Sequence, residues 1–277
     1  MTTEEILASW GVTKFKIHED GSVDILQNLD LQDKIDGLAE LPIKIRSVKV
    51  SLNLTGCTSL TSLGVLKTVR GHLLLYECAN LISLGELETV GGCMVLRRCE
   101  ALVSLGALKS VKESLSLYEC TALTSLGAIK TLKYSLYLKR CTALTTLGAL
   151  EAVGSYLDIS GCTALTSLGA LKAVGGFLHI KRCTALASLG DLRTVGGNLY
   201  TSGSTSLMSL GALETVGGPV YSEDDKDLSW EEFRGMWCDT VSTLSKAPER
   251  APLILAASEH AWQRALARET LNMIGTT

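Results

Sequence analysis

Residues 162–182 read CTALTSLGALKAVGGFLHIKR, and close copies of this stretch follow one another along the chain. Cysteine opens each copy at Cys57, Cys78, Cys99, Cys120, Cys141, Cys162 and Cys183, every 21 residues, and Ser204 takes the next place. A fixed period of this length marks a solenoid, in which one repeat is too short to bury a core alone and must stack on its neighbours. Counting from Cys162, apolar residues fall at Leu165, Leu168, Leu171 and Val174, followed by Gly175-Gly176 and the alternation Phe177-Leu178-His179-Ile180-Lys181. Alternation with period two predicts a strand with one buried face: Leu178 and Ile180 inward, Phe177, His179 and Lys181 outward. The wall from Leu165 to Val174 reads as extended or turn-like. Glycines at fixed places suit tight corners and positive φ, and eight Leu-Gly steps from Gly64 to Gly211 supply such corners. Stacked at ~4.8 Å per coil, the repeats from Leu52 to about Val220 make a body about 40 Å long.

Composition agrees with a folded chain: 46% of the 277 residues are apolar and 20% charged. The net charge of −3 supplies no global attraction to nucleic acid or anionic membrane. Its distribution is uneven: 6 basic and 9 acidic groups in residues 1–50, 14 and 10 in 51–222, 6 and 10 in 223–277. The opening MTTEEILASW carries acids where a secretory leader needs cations, and no apolar run approaches a membrane span, so a cytoplasmic protein is expected, with leaderless secretion as the alternative. Stacked cysteines point the same way in each coil. That suits reduced, buried thiols better than disulfides or a zinc site, which needs converging ligands. No metal or cofactor is expected, and no P-loop, dinucleotide-binding glycine pattern or HExxH is present.

The run Leu73-Leu74-Leu75-Tyr76-Glu77-Cys78-Ala79-Asn80-Leu81-Ile82-Ser83-Leu84 has the form LxLxxCxxLxxL. It resembles the core of the leucine-rich repeat, and the VGG-x-L-x-I stretches are similar to the coils of receptor L domains. The repeat length looks like the short bacterial and phage class, although Leu-Gly-Ala-Leu stands where that class carries proline. The resemblance covers about residues 50–222. It implies a parallel sheet on one face, protein binding there and no catalysis. The expected fold is therefore mainly β: a right-handed parallel β-solenoid of 21-residue leucine-rich-type coils at 51–222. An α/β N-terminal cap is expected at 1–50 and a helical C-terminal cap at 223–277. Some leucine-rich effectors carry a ubiquitin-ligase Cys-x-Asp motif; here Cys238 is followed directly by Asp239.

In the N-terminal region Thr3–Trp10 predicts a short helix, a hairpin turns at Glu19-Asp20-Gly21, and Leu29-Asp30-Leu31 starts a degenerate coil. After the acidic segment 222–227, Ser229 is the expected N-cap of a helix with Trp230, Phe233, Trp237, Val241 and Leu244 on one face. A second helix is expected from Pro252 toward Met273. The pair reads as a cap over the last coil, or else as a partner-binding or homodimerising element.

Period 21 also sorts outward residues into columns. The central one reads Asn53, Leu74, Val95, Ser116, Tyr137, Asp158, His179, Tyr200; the one before it includes His72, Cys93, Tyr156 and Phe177. Tyrosine and arginine are enriched at interface hot spots. The candidate partner-binding residues are Tyr76, Arg97, Tyr118, Tyr137, Lys139, Tyr156, Asp158, Phe177, His179, Lys181 and Tyr200. Stacked tyrosines that only stiffen the sheet are the competing reading. Glu77, Arg98, Glu119 and Arg140 predict an alternating ion ladder, and Arg97 and Lys139 cation–π contact with Tyr76 and Tyr118. Those glutamates interrupt the basic track that nucleic acid favours. Asp158 and His179, with Ser160 nearby, raise the less favoured alternative of a hydrolase.

Overall fold

The computed structural model describes residues 1–221, 227–229, 231–234 and 263. It is a parallel β-solenoid with a 21-residue turn. The main face is an eleven-stranded sheet: ten parallel strands run from Leu29–Asp30 through Leu52–Asn53, Leu73–Leu74 and every further 21 residues to Val220–Tyr221, and the antiparallel strand Asp227–Leu228 completes it. A second face carries Thr68–Val69, Thr89–Val90 and Ser110–Val111, and continues from Thr131–Leu132 to Thr215–Val216. A third is marked by single bridges such as Ser62–Ser83 and Ser167–Ser188. From Ser47 and Leu52 onward each parallel partner pair is offset by 21 residues, for example Leu157 with Leu178 and Asp158 with His179. The side chains expected inward form one continuous core, with Leu165, Leu168, Leu171, Leu178 and Ile180 fully buried.

The cysteine column explains why a small polar residue recurs in that core. Each thiol from Cys78 to Cys183 donates to the carbonyl 24 residues earlier: Cys99 to Leu75 at 3.0 Å, Cys120 to Leu96 at 2.8 Å, Cys183 to Ile159 at 3.0 Å. Ser204 Oγ makes the same bond to Ile180, so a hydroxyl substitutes for the thiol. All cysteines on the repeat are free, as expected, and burial pushes Cys57 and Cys183 up to about 12.

Glycine serves two purposes, of which the sequence suggested one. At the Leu-Gly corners φ is positive, as at Gly64 (60°) and Gly169 (61°), and the residue two before closes the turn: Ser167 Oγ accepts the Gly169 N–H at 2.9 Å. The first glycine of the Gly-Gly pair is needed for closeness instead. A Cβ on Gly175 would overlap the Gly154 carbonyl oxygen of the coil below. Positive φ also appears where no glycine signalled it. Glu77, Arg98, Glu119, Arg140 and Arg182 lie at 57–62°, in the place that Gly56, Gly161 and Gly203 fill in other coils.

The N-terminal cap is built as expected. The helix Thr3–Ser9 has a capping box between Thr2 and Glu5 and buries Leu7. The antiparallel hairpin Phe15–Ile17/Val23–Ile25 covers one end of the second face, where Asp24 accepts the Ser47 hydroxyl at 2.6 Å. At the other end Asp227–Leu228 pairs antiparallel with Val220–Tyr221. Ser229 and Glu232 make a capping box (2.9 and 3.2 Å), residues 231–234 are helical, and Phe233 is fully buried. Trp230, Trp237, Val241, Leu244, most of the second expected helix and any homodimer built on these lie outside the described residues. No helix among the described residues is long and apolar enough to cross a membrane.

Two outcomes follow from the thiol column. Cys120→Ala should lower stability by about 1–3 kcal/mol in urea unfolding, whereas Cys120→Ser, which keeps the donor, should cost less. The raised Cys57 and Cys183 thiols stay protonated while an unfolded chain ionises near 9.0. Their contribution is therefore whole below about pH 9 and lost as pH rises toward 12. Serine at these two positions should flatten that alkaline decline.

Candidate binding face on the main sheet

The outward residues of the main sheet fall into two groups. The first spans Tyr76, Arg97 and Tyr118. The Arg97 guanidinium lies 4.6 Å from the Tyr118 ring centroid and 5.5 Å from that of Tyr76, whose hydroxyl accepts from Arg97 at 2.6 Å. Lys139 reaches Tyr118 from the other side at 5.5 Å. Beside them the ion ladder forms as its spacing predicted. Arg98 contacts Glu77 at 3.0 Å and Glu119 at 3.1 Å, and Arg140 reaches Glu119 at 2.9 Å. The Arg98 bond, then the Arg140 bond, holds the Glu119 carboxyl below its ordinary range. The left-handed backbone at these positions turns the charges away from the core. As exposed pairs they contribute only about 0–1 kcal/mol each, and their main effect is on register.

The second group is aromatic. Tyr137 packs on Tyr156 (5.3 Å between centroids), Tyr156 on His179 (4.8 Å), His179 on Tyr200 (4.0 Å), and Tyr200 stacks on Tyr221 (4.5 Å, interplanar angle 6°). Phe177 meets Tyr156 edge-on at 6.4 Å and stays 46% exposed. The rings on this run are half-buried, because each covers the next. Their contacts thus supply the ladder packing while one edge of each ring remains open. Burial lowers the His179 pKa, with Lys181 and Lys139 adding to the effect and Asp158 opposing it.

Beside this run lies a depression of about 680 Å³, lined on its flanks by Lys139, Arg140, Lys181 and Arg182. Its floor comes from Ser160-Gly161 and Ser202-Gly203. The two residues before the cysteine position alternate Lys-Arg, Ser-Gly, Lys-Arg, Ser-Gly along these coils. A coil with almost no side chain therefore sits between two cationic ones. Tyr156, His179 and Asp158 form the inner wall. Lys181 lies 4.9 Å from the Tyr200 ring, so aromatic run and depression form one surface.

Asp158 is 8% exposed, and its Oδ1 accepts the Ser160 N–H at 2.9 Å. No hydrogen bond joins it to His179 among the described residues. The expected Asp–His contact is one of adjacent strand positions, without the oriented pair a hydrolytic triad needs. The structure thus gathers ten of the eleven candidate residues into the two packed groups, with Asp158 as the wall between flanking cations. Tyr221 and the Ser-Gly floor lie on the same 21-residue grid but were not among the candidate residues.

No family model, curated protein or solved structure matches the chain.

A His179→Ala/Tyr200→Ala double-mutant cycle should return a coupling of about 0.5–1.5 kcal/mol, the usual value for a packed ring pair. His179 should titrate below its usual 6.5 by NMR. Since an unfolded chain then takes up a proton the folded chain refuses, its contribution is whole at neutral pH and falls as pH drops through 6.5. A His179→Phe variant should lose less stability on acidification.

Proposed function

We propose that this protein is a non-enzymatic, leucine-rich-repeat-like binding solenoid that holds an acidic, extended segment of a partner protein along its main sheet. The observation that carries this reading is the joining of an aromatic run to a cationic depression on one face. Aromatic edges supply contact area at low entropic cost, and Phe177 is the most exposed ring of the run. The depression presents four cations around one carboxylate, so it favours carboxylate-bearing partners and disfavours basic ones. The kinship to leucine-rich repeats rests on the LxLxxC pattern and on the cysteine's bond to the preceding coil. Free buried thiols suit a reducing compartment, in keeping with a cytoplasmic site of action.

The test is partner capture by the full chain, compared with Tyr137→Ala/Phe177→Ala/Tyr200→Ala and with Lys139→Glu/Lys181→Glu, each checked for retained fold by circular dichroism. The aromatic triple variant should weaken capture by at least about tenfold. The charge-reversed variant should weaken it too, and the wild-type complex should loosen as salt rises. Capture unchanged in both variants would refute the face.

A further inference from the structure

Away from the depression, three side chains of different donor type converge where the coils enter the main sheet. His72, Cys93 and Glu113 come from successive coils, and their ligand atoms all lie within 4.8 Å of one another. Cys93 Sγ donates to Glu113 Oε2 at 3.1 Å, and His72 Nδ1 stands 4.0 Å from the same oxygen. The Cys93 amide donates to His72 Nδ1 at 3.0 Å, which leaves the ring proton on Nε2 and keeps Nδ1 unprotonated beside the cluster. The imidazole rests against Gly92, where a Cβ would press on Nδ1 at 2.6 Å, so the ring depends on a glycine at that place. Cys93 also differs from every other described cysteine: it is partly exposed and lies outside the buried column.

We propose that His72, Cys93 and Glu113 form a surface site for one divalent transition ion of the zinc class, with a fourth position open to water. Imidazole, thiolate and carboxylate are the donors such ions take, at about 2.0–2.3 Å. Ligands on a tetrahedral ion at those lengths are separated by roughly 3.3–3.7 Å. The Sγ–Oε2 and Nδ1–Oε2 separations of 3.1 and 4.0 Å lie on either side of that range, and with Nδ1 and Sγ within 4.8 Å closure calls for side-chain rotation that draws the three together. On loading, the Cys93 S–H bond breaks and its proton leaves to solvent. The thiolate and the carboxylate then offset the two charges of the ion, while His72 Nδ1 exchanges an exposed amide hydrogen bond for the metal. A bound ion would tie together three coils that the repeat otherwise joins through backbone pairing and packing.

The experiment is a cobalt(II) titration of the full chain under a non-thiol reductant, in a Cys238→Ser background that removes the one cysteine outside the described residues. The expected result is a sulfur-to-cobalt charge-transfer band saturating at one ion per chain, with about one proton released per ion and displacement of cobalt by zinc. Cys93→Ser should abolish the band. His72→Ala and Glu113→Gln should each weaken binding by more than about tenfold, the loss that removal of even an outer partner produces. These three positions lie on the surface, and circular dichroism reports whether each variant keeps its fold. Absence of the band at millimolar cobalt would overturn the proposal. So would a band that survives Cys93→Ser, or binding unmoved by His72→Ala and Glu113→Gln.

Discussion

The structure depends on backbone hydrogen bonds that must close at a fixed offset. On the main sheet the N–H groups point to the next coil: Leu157 donates to Phe177, Ile159 to His179, Gly161 to Lys181. On the second face they point back: Lys172 donates to Glu151, Gly175 to Val153. Every coil is held from both sides, so it must set its donors and acceptors directly above those of the coil before. One inserted residue would shift every later side chain to the wrong face. This is why the leucines scarcely vary, why the Leu-Gly corner keeps its serine or threonine, and why the first glycine of the Gly-Gly pair admits the neighbouring carbonyl so closely. Such a stack leaves open edges at both ends, and the antiparallel strands Phe15–Ile17 and Asp227–Leu228 each cover one.

The same constraint places side chains that are free of it. An outward residue meets its counterpart 21 positions away, so any pattern written at that period becomes a physical row. Alternating Glu and Arg becomes the ladder from Glu77 to Arg140. Rings at Tyr137, His179, Tyr200 and Tyr221 on one row, bridged past Asp158 by Tyr156 from the row beside it, become a packed run. Alternating Lys-Arg and Ser-Gly becomes a depression with cationic flanks, a form that arises only because one coil withholds side chains from between two others. His72 and Cys93 meet for the same reason, and Glu113 reaches them from one position off the row. On the proposed reading, recognition evolves in this protein by exchanging residues on the rows while the coil itself is left unchanged.

The fold was legible because burial and backbone closure repeat identically, and each repetition strengthens the signal. Leu178 and Ile180 could be placed inward from alternation alone, and the partners of Tyr76 and Glu119 from the period. What escaped depends on local geometry that residue type does not disclose. Arg98 and Arg140 do not announce a left-handed backbone; only their alignment with Gly161 and Gly203 hints at it. Ser160-Gly161 reads as an interruption of charge until its neighbours give it walls. Asp158 sits next to His179 in its row, yet its carboxylate turns to the Ser160 amide, a choice set by the shape of one strand end. Cys93 falls off the cysteine grid, so its approach to Glu113 follows from side-chain reach, which spacing does not encode.

Amide hydrogen exchange, resolved by residue, tests the central claim most directly. The account predicts slow exchange at Leu115, Leu136, Leu157 and Leu178, with the amide two residues further on protected in each coil, so that protection recurs every 21 residues along the main sheet. Rapid exchange at these amides, or protection in continuous helical stretches without that period, would contradict the stacked coil and everything placed upon it.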